Sequence, residues 1–149
     1  MKCSRRDFGL LLPSLAAAQA VPARNVNNDV EHLPVMKTER FGFDESPRYD
    51  QRQNHQRRMF TAKTHTGFKI GSHQSDIAPG EVNHPPHQRR REEMMLIREG
   101  VMELTIAGKP YRLGPGDVGV IGSNELHSAK NVGTTTARYF IVNIGRDDV

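Results

Sequence analysis

The sequence predicts an all-β protein built as one small sandwich or barrel, and three observations carry the prediction. From Met59 onward apolar residues recur with period two in short runs, the pattern of half-buried strands. Turns rich in Gly and Pro punctuate those runs at close spacing. Nowhere does the chain show the 3.6-residue apolar period of a helix of ordinary length. At 149 residues, 36% hydrophobic and 26% charged, the chain holds one ordinary domain and is too short for a repeat array or a multi-domain enzyme. It contains no run of about 20 apolar residues, so no membrane-spanning helix is expected.

Taken from the N-terminus, residues 1–20 read as an address rather than as structure. Lys2, Arg5 and Arg6 precede a short apolar middle ending near Leu15, and an alanine-rich stretch closes with Ala18-Gln19-Ala20, an A-x-A cleavage site. Pro13 inside so short an apolar run argues against a buried helix. Ser4-Arg5-Arg6-Asp7-Phe8 followed by leucines resembles the twin-arginine export signal of bacteria, which implies a folded protein delivered to the periplasm or secreted. Removing the signal takes Cys3, the single cysteine, and leaves a mature chain with no disulfide, thiol nucleophile or thiolate ligand. It also takes half of the formal net charge of +4, because Lys2, Arg5 and Arg6 outnumber Asp7 by two.

Residues 21–58 are polar and turn-rich, with Val35, Met36, Phe41, Phe43 and Tyr49 as scattered apolar positions, and are expected to form an arm. Its basic end, Arg48, Arg52, Arg57 and Arg58, lacks interleaved stacking aromatics and is partly compensated by acid, so no nucleic-acid partner is expected. The β domain is expected over 59–149. Within it Val101 to Ile106 alternates and places Met102, Leu104 and Ile106 on one face. Ala107-Gly108-Lys109-Pro110 turns the chain into a return strand at Tyr111-Arg112-Leu113. Gly114-Pro115-Gly116-Asp117 turns it again into Val118-Gly119-Val120-Ile121. Thr136 to Ile144 reads as a further strand with an apolar face of Phe140, Val142 and Ile144. Met94 and Met95 alternate faces on a strand and are expected in the core rather than in redox chemistry.

Six of the seven histidines lie in or just before this β region, and two local strings give them a pattern. The first is Gly80-Glu81-Val82-Asn83-His84-Pro85-Pro86-His87-Gln88-Arg89-Arg90-Arg91-Glu92-Glu93, with Gly100 six intervening residues beyond Glu93. The second is Gly116 to Asn131, with His127 four residues before Asn131. Together, over roughly residues 60–145, they resemble the two motif regions of a single-domain cupin. The resemblance implies a double-stranded β-helix, a small jelly-roll barrel with a pocket at its mouth. In the family pattern His-x-His, a Glu and a later His gather around a divalent transition metal. On a strand, positions i, i+2 and i+6 share a face, so such a spacing is chemically intelligible. The resemblance therefore assigns metal-ligand roles to His87, Glu93 and His127, with iron, manganese, nickel, zinc or copper as candidates.

Arg89 departs from the pattern, since it occupies the second His slot. A guanidinium has no lone pair for a metal. At about 5 Å from a dication it would be repelled by roughly 7 kcal/mol at an effective dielectric of 20. Three arrangements remain open. His84 supplies the missing ligand, because a polyproline turn at Pro85-Pro86 brings residues three apart onto one side. Or Arg89 swings out to Glu92 and leaves a two-His, one-carboxylate triad. Or no metal binds, and Arg89 grips Glu93 or an anionic ligand. Of Arg89, Arg90 and Arg91, only Arg89 is expected to look inward, the others forming a solvated rim. His65 and His73 are expected on a strand before the motif, with His73 and Asn131 assigned to the substrate pocket beside Arg89. Ser123 and Ser128 flank His127 without an Asp to complete a hydrolytic triad. The expected function is an exported cupin that binds a small polar or anionic molecule. By resemblance it would perform metal-assisted dioxygenase- or isomerase-type chemistry and form a homodimer. The alternative is a metal-free small-ligand or carbohydrate-binding module without catalysis.

Overall fold

The computed structural model describes residues 28–51 and 54–145, so the export signal expected over residues 1–20 lies outside the described residues. A four-residue helix, α1 (Asn28–Glu31), precedes nine strands. They are β1 (Arg48–Gln51), β2 (Asn54–Lys63), β3 (Lys69–Ile77), β4 (Glu92–Glu99), β5 (Met102–Ile106), β6 (Lys109–Leu113), β7 (Val118–Ile121), β8 (His127–Asn131) and β9 (Ala137–Ile144). Six form one antiparallel sheet in the order β1-β2-β3-β9-β4-β7, and three form a second in the order β6-β5-β8. Among the described residues no helix is long and apolar enough to cross a membrane.

The two sheets share one core, which period-two alternation assembles. The large sheet contributes Ile77, Met95, Ile97, Ile121, Tyr139 and Ile141; the small one contributes Met102, Leu104 and Ala129. Cross-strand register aligns these in rows, for example Met95 opposite Ile141 on β9 and opposite Gly119 on β7. The inward face expected of β5 is present, with Met102 and Leu104 fully buried. Met95 is buried, whereas Met94 faces outward.

β9 corrects one expectation. Its core face is Ala137, Tyr139 and Ile141, all buried, while Ile144 is exposed and Phe140 lies under the Arg98 guanidinium on the outer side. The strand is apolar on both faces, and hydropathy alone does not distinguish the two; its register against β3 and β4 does. The change of pattern read at Met59 falls inside β2, and β1 with the first half of β2 comes from the stretch read as an arm. Preceding residues pack on the outer side of β2. Val35 bridges to Lys63, Phe41 stacks on Phe60 at 5.0 Å, and Arg57 lies over the Phe43 ring at 4.5 Å.

The β4–β5 turn depends on Gly100. Its φ is +77°, and a Cβ there would lie 2.6 Å from the Ala137 Cα. Gly108, in the β5–β6 turn, has φ +80° but open space around it. Gly100→Ala is therefore expected to destabilise the fold by about 2–4 kcal/mol, left-handed strain plus overpacking, and Gly108→Ala by about 1–2 kcal/mol from strain alone. Urea denaturation midpoints check this, and equal losses at both sites would remove the packing role of Gly100.

Candidate functional site

Three stretches of chain deliver the site. On β4, alternation turns Glu93 inward in line with Met95. On β3, His73 faces the same interior, opposite Arg58 of β2. The third stretch, residues 80–87, is irregular and runs antiparallel along β8. Gly80 N–H donates to Asn131 O at 3.0 Å, and His87 and His127 exchange N–H···O bonds of 3.0 and 2.9 Å. His87, Arg89 and Glu93 therefore do not share a strand, as the spacing led one to expect. Extended pairing on β4 begins only at Glu92, and the backbone bridge to His127 is what places His87. Beyond Pro85-Pro86, His84 and His87 do lie together, with ring centroids 3.8 Å apart, and His87 and His127 are 4.5 Å apart.

His73, His84, His87, Arg89, Glu93 and His127 line one cavity of about 120 Å³, with Tyr139 and Gln56 among its other walls. Asn131, assigned to the pocket from the motif, is elsewhere. It is fully buried, its amide donates to Ile77 O and Thr135 O at 2.8 Å each, and its Oδ1 accepts the Gly133 N–H at 2.9 Å. Those bonds hold loops together and leave the side chain no role in the cavity. His65 sits in the exposed turn between β2 and β3 rather than on a strand.

Arg91 is the residue the sequence reading missed. It too is an even number of residues from Glu93, so parity marks it as much as Arg89, and the expectation that only Arg89 looks inward is corrected. Arg91 Nε donates to Glu93 Oε1 at 2.9 Å, with side-chain exposures of 23% and 9%. The grip on Glu93 considered for Arg89 is thus made by Arg91. Glu93 Oε2 faces His127 Nε2 at 3.5 Å.

These neighbours set the charge states. Burial opposes ionisation of Glu93, but His127 and Arg91 together hold its carboxyl at about 2. The facing Glu93 carboxylate raises His127 above the ordinary imidazole value, outweighing burial. Burial pushes His73 down to about 4 and also lowers His84 and His87. Burial raises the Tyr139 phenol, which stays neutral. Near neutral pH the cavity thus sets a carboxylate and an imidazole biased towards its cation against three imidazoles biased towards neutrality. Groups with values pushed apart in this way can donate and accept protons in one site.

The motif implies a divalent metal, and the residues answer in two ways. The Nδ1 atoms of His84 and His87 lie 3.1 and 3.3 Å from Pro85 O, and that of His127 lies 2.9 Å from Glu125 O. A carbonyl at Nδ1 takes the proton there and leaves Nε2 as the donor atom for an ion. His127 Nε2 is buried with no hydrogen-bond partner. The chemistry of the set therefore suits a transition metal. The arrangement does not: Arg91 holds the Glu93 carboxylate, and among the described residues no three His, Cys, Asp or Glu side chains are disposed to hold an ion.

The linkage signs follow from the shifts. The lowered His73 value contributes stability that is present above about 6.5 and lost as pH falls towards 4; Glu93 contributes stability lost between 4.5 and about 2. The raised His127 value contributes stability that is present below 6.5 and lost as pH rises through its folded value. NMR titration of the imidazole Cε1–H resonances is expected to show His127 titrating above 6.5 and His73 near 4. The reverse order would contradict the Glu93–His127 contact.

The comparisons agree with this geometry. Residues 73–143 match the cupin domain family. No curated protein matches the sequence. Among solved structures, KdgF from a Halomonas species superposes with a TM-score of 0.65 at 18% identity, covering 75% of this chain and 97% of that one. The polyketide cyclase RemF from Streptomyces resistomycificus gives 0.61 at 20% identity, covering 74% and 82%. A predicted oxalate decarboxylase from Thermotoga maritima gives 0.59 at 18% identity, covering 72% and 99%. With two antiparallel sheets closed around one core and a histidine-lined mouth, the protein has the cupin fold, and its residues 73–143 match the cupin domain family.

Proposed function

We propose that the protein binds a small organic anion in the histidine-lined cavity, without a metal, after export from the cytoplasm. One observation carries the binding reading: two arginines, an imidazole biased towards its cation and three biased towards neutrality surround the single carboxylate of Glu93 in a cavity that opens beside a basic groove. Arg89, Arg91 and His127 border the cavity, and the adjoining groove of about 350 Å³ shares Gln56, His73 and Arg91 with it and adds Arg58 and Lys69. A cavity of about 120 Å³ accepts a group close to benzene in size, given that an apolar void of about 150 Å³ holds benzene. Guanidinium groups recognise a carboxylate through charge-assisted hydrogen bonds. With Nδ1 of His84 and His87 near the Pro85 carbonyl, their Nε2 atoms are left as acceptors for hydroxyl groups, and the neutral Tyr139 lines the cavity wall. A hydroxylated carboxylate is the ligand class that meets all of these groups.

The fold neighbours include a polyketide cyclase and a predicted oxalate decarboxylase, and a fold that hosts such different proteins does not choose a reaction. Metal-assisted dioxygenase or isomerase chemistry, which the motif resemblance implies, needs an ion in the arrangement that Arg91 opposes. The reading that survives best is the binding module.

Calorimetric titration with a panel of hydroxycarboxylates and the neutral amides of the same shape tests it. The carboxylates are expected to bind at least tenfold more tightly than their amides. Arg89→Gln is expected to reduce that preference by about 1.5–3 kcal/mol, the range for a hydrogen bond to a charged group. Equal affinity for acid and amide would remove the anion reading. Export rests on Arg5 and Arg6: changing both to Lys is expected to leave the precursor in the cytoplasm, and undiminished periplasmic protein on cell fractionation would eliminate the twin-arginine route.

A further inference from the structure

We infer that Arg91 is a built-in cation standing in for the divalent metal of the cupin motif, so that the cavity is metal-independent by construction. The residue that the motif assigns to a metal, Glu93, is already engaged by a cation: Arg91 Nε donates to Oε1 at 2.9 Å. The pair is sheltered, with 9% of the Glu93 side chain exposed. It is therefore unlike a surface ion pair whose partners part freely. The other oxygen, Oε2, faces His127 Nε2 at 3.5 Å. A metal ion drawing on that carboxylate would sit close to a guanidinium that cannot lose its proton, and at about 5 Å the repulsion is roughly 7 kcal/mol at an effective dielectric of 20.

The position of Arg91 gives the substitution a use. It lines both the histidine cavity and the basic groove, and so stands at their junction, where a metal in the cavity would meet a ligand arriving through the groove. A metal supplies positive charge by coordination; Arg91 supplies one fixed charge and a planar set of N–H donors. The imidazoles of His84, His87 and His127 keep Nδ1 near backbone carbonyls, as a metal site would use them, and so form a ligand set whose carboxylate member is held by Arg91. Sequence spacing that concentrates on the arginine in the second His slot overlooks this, because the interfering arginine is two positions further on.

Removing that side chain should restore metal affinity. In titrations of the metal-free protein with Zn²⁺ and Mn²⁺, followed by calorimetry and elemental analysis after gel filtration, the wild type is expected to retain less than a tenth of an equivalent. Arg91→Ala is expected to bind one equivalent at least tenfold more tightly than wild type, while Arg90→Ala, on the exposed rim, should behave as wild type. Arg91→Met keeps the aliphatic stem, removes the charge and serves where the alanine variant fails to fold. A wild type holding one tightly bound ion per chain, or arginine variants that bind no more tightly than wild type, would overturn the inference. A second arm rests on the proposed anion binding: chelator treatment should leave hydroxycarboxylate affinity within twofold, and its loss would also overturn metal independence. The metal titrations involve no organic ligand, so failure of the anion reading is seen separately from failure of this one.

Discussion

Alternation along β4 commits Glu93, Met95 and Ile97 to the same interior, so the strand that anchors the core also carries a carboxylate into the barrel mouth. Neither role can be moved without the other. A one-residue slip against β9 or β7 would bury Met94 and Leu96, expel Met95 and Ile97, and turn Glu93 to solvent. At Gly119, opposite Met95 on β7, a Cβ would meet the Leu104 Cδ2 methyl at 2.6 Å, so the leucines of the small sheet pack directly on this glycine. The position of the charge is thus fixed by the packing beneath it.

A carboxylate so placed must be compensated, since an isolated buried charge costs several kcal/mol. The compensation comes from two directions, Arg91 on the irregular approach to β4 and His127 at the start of β8. Each neighbour lowers the cost of Glu93, and Glu93 in turn raises His127. The backbone bridge from His87 to His127 brings His84 and His87 to this centre of charge, and β3 brings His73. Charge balance at the mouth and hydrophobic packing below it are consequently joined through β4 and β8.

Much of this was legible in the chain. The β5 face, the turn at 114–117 and the strand after Gly116 follow from period and turn chemistry, and the turn read over 107–110 narrows to Ala107-Gly108 because Lys109 and Pro110 already pair in β6. The departures share one cause, which is that spacing describes neighbours along the chain and not across it. β9 is apolar on both faces, so its core side could not be read from hydropathy. Asn131 stands in motif register but spends its amide on Ile77 O and Thr135 O, which lie outside the motif strings. The polar stretch before Met59 contains too few apolar residues to declare a strand, yet β2 gains its order by pairing onto β3, and β1 by pairing onto β2.

The sequence by itself determined the all-β class, the cupin resemblance and the residue types at the cavity, because alternation, turns and motif spacing are local properties of the chain. Tertiary structure alone decided which arginine meets Glu93. Arg89 and Arg91 have the same parity, and only the path from the His87–His127 bridge into β4 brings Arg91 to 2.9 Å from the carboxylate. That choice sets which cation is paired with the cavity's carboxylate, and it depends on where two sheets meet rather than on any pattern within one strand.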